Sequence, residues 1–176
     1  MDALGAVTMF EYNAADKLIR QTDPEGKVVQ YEYDTQGRLI RTIDSSGNET
    51  LMEYEGSSGS SGCSTCTGGS AEQVRRIVYP TFSREFGYDL RGRKTAEHDI
   101  VSDTEVLTTS MSYDAAGNLV SRTDKEGRAT TYEYDELNRL VAVIDPAQGV
   151  TQYAYDGRDN LISLTDAQGN TTRFAY

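Results

Sequence analysis

Apolar and polar side chains alternate along most of the chain in short runs. In one such run Val29, Tyr31 and Tyr33 share one face of an extended strand, and Glu32 points to the other face. A second kind of run begins with two adjacent apolar residues, as in Leu39-Ile40, which we expect to point to opposite faces. Every window long enough for a helix contains a turn signal. The pattern therefore predicts paired short β-strands and no helix.

Tyrosines mark a repeat of 21 residues. The spacing holds in two runs, and Tyr88 lies between them, 34 residues after the first run and 25 residues before the second. Two insertions therefore interrupt one repeat pattern. Two residues before each of these tyrosines stands another large apolar side chain, so the strands of this type present one apolar face. The repeat tyrosines are Tyr12, Tyr33 and Tyr54 in the first run and Tyr113, Tyr134, Tyr155 and Tyr176 in the second.

Two turn signals separate the strands of each repeat, as in Asp34-Thr-Gln-Gly37 and Asp44-Ser-Ser-Gly47. Aspartate at the first position of a turn accepts hydrogen bonds from nearby backbone amides, and the fourth position favours glycine because its φ is positive. Where this glycine is missing from the first turn, Asp16, Asn138 or Asp159 replaces it, and these residue types tolerate the left-handed region best. The turn candidates of the other repeats are Gly92, Asp114, Gly117, Gly127, Asp135, Asp156 and Gly169.

The repeats form two predicted blocks, residues 1–54 and 73–176, separated by a Gly/Ser-rich loop at residues 55–72. The second insertion, Ile100–Glu105, is expected to lengthen one turn after Asp99. Turn signals at intervals of about ten residues leave room for strands of ~5–7 residues, the usual length in antiparallel sheets. The predicted fold class is therefore all-β, built from tandem antiparallel β-hairpins.

Cys63 and Cys66 form a C-x-x-C pair inside the predicted loop. A local disulfide, or two inert thiols, is the simplest interpretation. A closed zinc site would need ligands from a second chain, because one pair and the remote His98 cannot supply four ligands. A redox dithiol usually lies at a helix N-terminus, which this loop does not offer. The two cysteines are therefore only weak metal candidates.

The acidic composition narrows the classes of function. The chain has 17 basic and 28 acidic residues and a net charge of −11, which argues against binding to nucleic acid or to anionic lipid. No stretch reaches the ~20 apolar residues of a membrane span, so membrane insertion is not expected. His98 occupies a strand position that holds threonine or isoleucine in other repeats, which indicates a structural role. Turn formation explains the aspartate spacing better than ordered calcium does, and we predict no catalytic residue and no cofactor.

The unit Tyr33-Asp34-x-x-Gly37-Arg38-Leu39, followed by Asp44-x-x-Gly47, closely resembles the YD repeat of RHS proteins. That family includes bacterial polymorphic toxins, wall-associated proteins, cocoon-forming subunits of insecticidal toxin complexes, and teneurins. The resemblance covers nearly the whole chain and implies a long curved or spiral β-sheet, a segment of a hollow YD shell. In bacterial members the shell encloses a C-terminal toxin. The resemblance also implies a secreted or cell-surface location.

Two further features bear on how this segment relates to a longer protein. Asp23-Pro24-Glu25-Gly26 mimics the start of the self-cleavage motif of the family, but it lies inside an ordinary repeat, so we interpret it as a turn. Asp2–Gly5 precedes Tyr12 with the spacing of a second turn, and the sequence ends on Tyr176. We therefore expect a segment of a longer array, with the rest of that array as its partner and strand edges that self-associate.

Two functional hypotheses follow. The first is a non-enzymatic structural segment of an RHS-type shell that encloses or presents a toxin or another polypeptide. The alternative is a cell-surface module that recognises glycan or protein through a curved, tyrosine-rich sheet. We favour the first hypothesis, because tyrosines in register on one face of a sheet are typical of packing rather than of sugar stacking.

Overall fold

A computed structural model describes residues 7–55 and 72–176. Its strands are β1 (Met9–Tyr12), β2 (Leu18–Thr22), β3 (Val28–Tyr33), β4 (Leu39–Ile43), β5 (Glu49–Tyr54), β6 (Val74–Val78), β7 (Ser83–Tyr88), β8 (Lys94–Ser102), β9 (Glu105–Tyr113), β10 (Leu119–Thr123), β11 (Ala129–Tyr134), β12 (Leu140–Ile144), β13 (Val150–Tyr155), β14 (Leu161–Thr165) and β15 (Thr171–Arg173). The 15 strands are hydrogen-bonded in chain order. Within the described ranges the regular structure is entirely β-strand, so the predicted all-β fold of antiparallel hairpins is confirmed.

The chain divides into two compact units. Unit 1 comprises Met1–Lys94 and His98–Val106, and unit 2 comprises Thr95–Glu97 and Leu107–Tyr176. In unit 1 the strands from β1 to β7 each pair antiparallel with the next strand. In unit 2 the strands from β9 to β15 do the same. Each unit therefore repeats one hairpin plan, with strands that end in tyrosine alternating with strands of the second type.

A β-bulge interrupts the pairing of β1 with β2, β3 with β4 and β5 with β6 in unit 1, and of β9 with β10, β11 with β12 and β13 with β14 in unit 2. In the pairing of β3 with β4, Glu32 lies opposite Arg41 but Tyr33 lies opposite Leu39, so Ile40 is the extra residue. Ile40 also lines the same open groove as Tyr31 and Tyr33. The bulge therefore interrupts the strict alternation of faces at Leu39 and Ile40, and it places Leu39 opposite Tyr33.

The second insertion lengthens strands rather than a turn. β8 and β9 contain nine residues each, and only Asp103-Thr104 forms the turn between them. The expectation that Ile100–Glu105 lengthens a turn after Asp99 is therefore wrong. The inserted residues Ile100 and Val101 are β-branched, and such side chains favour extended backbone over a turn.

Burial is shallow throughout the described strands. Tyr54, Phe86 and Ala142 are the buried apolar side chains in this part of the chain, and no large side chain there is fully buried. Most strand residues are half-buried instead. A thin core contributes little to folding stability. Backbone pairing and the side-chain hydrogen bonds at the turns therefore supply a large share of the stability of the repeats.

Candidate functional site

The first functional element is the aspartate at the start of each turn. Asp34 Oδ1 accepts hydrogen bonds from the backbone N–H groups of Gln36 and Arg38, both at 2.9 Å. The backbone closes the same turn, since Gly37 N–H donates to Asp34 O at 3.0 Å. The carboxylate thus binds amides that the turn would otherwise leave to solvent. Equivalent pairs of bonds form at Asp23, Asp44, Asp89, Asp124, Asp135, Asp145, Asp156 and Asp166, and Asp114 accepts from the N–H groups of Gly117 and Asn118.

The second carboxylate oxygen of most turn aspartates binds the residue four positions later. Arg38 Nε donates to Asp34 Oδ2 at 2.7 Å, and Asn160 Nδ2 donates to Asp156 Oδ2 at 2.9 Å. The backbone N–H of Arg38, acting with its guanidinium, lowers the pKa of Asp34. The side-chain amide of Asn160 has the larger effect in lowering the pKa of Asp156. These aspartates are therefore held as carboxylates by contacts inside their own turns.

The fourth turn position has a left-handed backbone. Gly127 has φ +78°, and among residues other than glycine Asn138 has φ 61° and Gln148 has φ 68°. The remaining positive values fall at Asp16, Gly26, Gly37, Gly47, Gly92, Gly117, Asp159 and Gly169. Gln148 has no special preference for this region. Gln148 nevertheless takes the fourth position of its turn, because the glycine of that turn, Gly149, comes one residue later.

Substitution at Gly127 isolates the backbone requirement, because no atom lies within 4 Å of a Cβ built there. We expect Gly127→Ala to lower the free energy of unfolding by about 1 kcal/mol, the usual cost of a left-handed conformation for a residue with a Cβ. Gly127→Asn should cost less, since Asn138 holds the same position in the next repeat. Urea unfolding followed by circular dichroism measures both variants. Equal losses for alanine and asparagine would contradict this account.

The second functional element is the hydroxyl of the repeat tyrosine. The backbone pairs of β2 with β3 end at Arg20 and Gln30, and beyond them Tyr33 Oη donates to Leu18 O at 2.8 Å. The hydroxyl therefore closes the hairpin where the backbone ladder stops. The same contact joins Tyr54 to Leu39 and Tyr88 to Val74 in unit 1, and Tyr134 to Leu119 and Tyr155 to Leu140 in unit 2.

Sequence reasoning placed these tyrosines on a packed face but missed this hydrogen bond. The sequence signal for this hydrogen bond was the difference in residue types between two positions of the repeat. The position two residues earlier accepts Tyr31, Met52 or Phe86, whereas the repeat position is tyrosine in every copy. A position that requires only an aromatic ring would also accept phenylalanine. The invariance within the chain therefore indicated that the hydroxyl is used.

We expect Tyr134→Phe to lower the free energy of unfolding by about 1 kcal/mol, because the variant leaves Leu119 O without its donor. Tyr12→Phe is the matched control, since Tyr12 is 58% exposed on β1. Thermal unfolding of both variants tests the contact. If the two substitutions shift the midpoint equally, the hydroxyl of Tyr134 does not contribute through Leu119.

Arginines connect successive repeats on the tyrosine side. In unit 1 the guanidinium of Arg38 lies 4.5 Å from the ring centroid of Tyr54. In unit 2 Arg139 lies 4.9 Å from the ring of Tyr155, and its Nη1 donates to Asp159 Oδ1 at 2.7 Å. One side chain thus binds the aspartate of its own turn and the tyrosine of the next repeat. Together, the turn aspartates, these arginines and the tyrosine hydroxyls make up the repeat network.

The remaining turn and tyrosine candidates occupy equivalent places. Gln73 lies next to Gly92, and its side-chain nitrogen donates a hydrogen bond to Gly92 O at 2.6 Å. Asp114 accepts from the backbone N–H of Gly117 at 2.7 Å, and Tyr113 ends β9 just before it. Gly47, Gly127 and Gly169 close second turns through bonds to the aspartate three residues earlier.

Comparison with known proteins agrees with this geometry. The family model named RHS Repeat matches residues 12–49, 113–150, 138–171 and 155–176, which together exceed half of the chain. The chain belongs to the RHS repeat family. The resemblance inferred from the Tyr-Asp units is thereby confirmed. No curated protein matches the chain.

One solved structure shares its fold with almost the whole length of this chain. The crystal structure of TcdB2-TccC3-TEV matches with a TM-score of 0.71 and 21% identity, over 96% of this chain and 10% of that chain. TcdB2-TccC3 without its hypervariable C-terminal region matches at TM-score 0.46 and 15% identity, over 96% of this chain and 12% of that chain. The Photorhabdus luminescens Tc holotoxin pore matches with a TM-score of 0.40 and 15% identity, over 97% of this chain and 13% of that chain. The RHS repeats described here thus span about a tenth of the first of these chains.

Several predictions about chemistry fall outside the repeat network. Cys63 and Cys66 lie outside the described residues, so the interpretations of their loop stay predictions. His98 lies within β8 of the RHS repeats. In the part of the chain that the structure describes, no group of three or more His, Cys, Asp or Glu residues is placed to hold a metal ion. Among the same residues, no helix has the length and apolar character needed to cross a membrane.

Proposed function

We propose that this chain is a non-enzymatic wall segment of an RHS-type β-shell that encloses or presents another polypeptide, for which a toxin is the candidate that the family suggests. The observation that carries the proposal is the repeat network. Tyr134 Oη and Arg139 use their polar groups to join one hairpin to its neighbours. A sheet joined in this way can be lengthened by adding hairpins, as a wall requires.

The use of the turn aspartates supports a non-enzymatic role. Carboxylates can act as acids, bases or nucleophiles when they face a cleft and lack other partners. Here Asp34 and Asp156 each accept two backbone hydrogen bonds and a side-chain hydrogen bond within their own turns. These interactions hold the aspartates in structural positions.

The partners follow from the same proposal. We infer two blocks of repeats, residues 1–54 and 73–176, joined by the loop at residues 55–72. The rest of an RHS array is the first partner, and self-association through strand edges is the second. A secreted or cell-surface location would suit a wall that protects or presents a polypeptide.

Recognition of glycan or protein through the tyrosines is the alternative function. Sugar-binding tyrosines present their rings and hydroxyls to solvent, where they contact the ligand. Tyr33, Tyr54 and Tyr155 instead donate their hydroxyls to backbone carbonyls. This use of the hydroxyls favours the wall over the binding surface.

Protease protection tests the enclosing function. The protein is isolated from its native source and digested before and after the repeats are unfolded in urea. We expect a polypeptide accompanying the repeats to resist digestion until the repeats unfold. Light scattering during size exclusion, with and without reductant, then measures self-association and any link through Cys63 and Cys66. A free monomer that protects nothing would contradict the proposal, and glycan binding by that monomer would favour the alternative.

A further inference from the structure

Strand β7 carries a charge at a position that is uncharged in every other tyrosine strand. The position lies four residues before the repeat tyrosine, and Arg84 holds it before Tyr88. The corresponding residues elsewhere are Thr8, Val29, Thr50, Thr109, Thr130, Thr151 and Thr172. Arg84 is therefore a specific departure from the repeat rather than part of its general plan.

Asp99 is a second departure, and it lies opposite the first. It occupies the place where Asp44 and Asp166 begin second turns in other repeats. Those aspartates accept hydrogen bonds from the backbone of their own turns. At Asp99 the strand continues instead, because β8 extends to Ser102. The carboxylate is thus released from turn formation.

The two departures form one ion pair within unit 1, in which the carboxylate is the buried member. Arg84 Nε donates to Asp99 Oδ1 at 2.5 Å and Arg84 Nη2 donates to Asp99 Oδ2 at 3.0 Å, a two-point contact between guanidinium and carboxylate. Asp99 is only 5% exposed, the lowest exposure of any charged side chain in the described residues. The Asp99 carboxylate has therefore lost much of its hydration, and Arg84, whose side chain is 28% exposed, compensates its charge.

Tandem repeats are prone to mispairing because their strands are so alike. A tyrosine strand could pair with the second-type strand of another repeat, or of another copy of the chain, through the same backbone bonds. A slipped pairing leaves one additional hairpin in the loop between the paired strands, and this adds little to the entropic cost of closing that loop. Exchange of like elements between copies is likewise a low-cost route to dimers. Partly exposed cross-strand pairs, such as Arg41 with Glu32, penalise such an error only slightly because solvent compensates the separated charges.

We propose that Arg84 and Asp99 are a register pair, which restricts β7 to pairing with β8 and suppresses both slipped pairing and strand exchange between copies. In any other partnership Asp99 would lie opposite threonine or valine and lose its cation, whereas Arg84 would lie opposite a turn aspartate such as Asp44, whose carboxylate already binds the amides of its own turn. Such an arrangement buries an uncompensated charge, whereas the native pairing does not. The pair gives specificity because the wrong pairings lose the ion pair and are therefore less stable. Single buried polar contacts fix the register of other proteins in the same way.

Refolding of the full chain tests this proposal. Wild-type protein and the neutral variant R84T/D99T are refolded from urea over a range of concentrations in the presence of reductant. Light scattering during size exclusion then gives the dimeric fraction. We expect R84T/D99T to form at least threefold more dimer than the wild type, and the swapped variant R84D/D99R to return to the wild-type fraction. The control E32T/R41T removes a pair 2.9 Å apart whose glutamate is 49% exposed, and it frees Glu49, which is 48% exposed, so it should leave the dimeric fraction unchanged.

The outcomes separate a register role from a merely stabilising one. If R84T/D99T refolds to the wild-type monomer fraction, the pair does not select the register and the proposal is overturned, whatever the urea midpoint. If R84T/D99T does not fold, the comparison of R84D/D99R with R84D decides the question. A register pair requires the swapped variant to refold as monomer and the single variant to misassemble. Equal behaviour of those two variants would also overturn the proposal.

Discussion

Arg84→Met should lower the free energy of unfolding by about 3 kcal/mol, the largest loss expected from a single substitution in this chain. The variant keeps the apolar stem of the side chain but leaves the Asp99 carboxylate in a place that is 5% exposed without its guanidinium partner. A buried charge deprived of its partner costs more than the pair contributes, because the desolvation remains and the attraction is lost. Urea unfolding at neutral pH measures the change.

The double variant R84M/D99L provides the control for this prediction. It removes both charges, so most of the lost stability should return although the ion pair is still absent. Arg41→Met is a second control, because the carboxylate partners of Arg41, Glu32 and Glu49, are 49% and 48% exposed and such pairs contribute little. A loss at Arg41 as large as that at Arg84 would show that burial of Asp99 is not the cause.

Acid should destabilise the repeats steeply, because many turns use the same carboxylate contact. The turn contacts lower the pKa of eight aspartates below the usual 3.8: Asp34, Asp44, Asp89, Asp114, Asp124, Asp135, Asp156 and Asp166. A carboxyl whose pKa is lower in the folded state stabilises that state fully above its unfolded pKa. The contribution disappears as the pH falls from about 4 through the folded pKa, so all eight turns weaken together in one window.

The triple variant D44N/D114N/D166N tests this origin of the acid sensitivity. Asparagine can still accept from the turn amides, as Asn13 does from the N–H groups of Ala15 and Lys17 at 2.9 and 3.0 Å. We expect the urea midpoint of the triple variant to fall less than that of the wild type between pH 6 and pH 3. The control E25Q/E105Q/E136Q removes the same number of charges from exposed glutamates. Parallel curves for all three proteins would refute the assignment to the turns.

The fold was predictable because its signals are local and repeated. The spacing of Tyr33 and Tyr54 sets the repeat length, and the Asp-x-x-Gly turns divide it into strands that pair with their neighbours in sequence. No long-range pairing had to be inferred. The family followed from the same residues, since the range 12–49 that the RHS repeat model matches contains the Tyr33-Asp34 unit and its turns.

The contacts that join the repeats were harder to predict. The acceptor for the Tyr33 hydroxyl is the backbone carbonyl of Leu18. Every residue has a backbone carbonyl, so this contact does not restrict which residue type stands at position 18. The bulge at Ile40 is a backbone irregularity for which the pair Leu39-Ile40 is only an indirect sign. Arg84 and Asp99 were visible as departures from the repeat, but their contact depends on β8 continuing past Asp99, where the sequence suggested a turn.

The short reach of the tyrosine bond has a consequence for how such genes change. Tyr134 and Leu119, like Tyr155 and Leu140, are 15 residues apart, which is less than one repeat. Unequal recombination that deletes or duplicates 21 codons therefore restores every donor to an equivalent acceptor at the new junction. Array length can drift in this way without any compensating substitution. The hairpin that contains Arg84 and Asp99 is the exception, since recombination that separates the two codons leaves a charge without its partner.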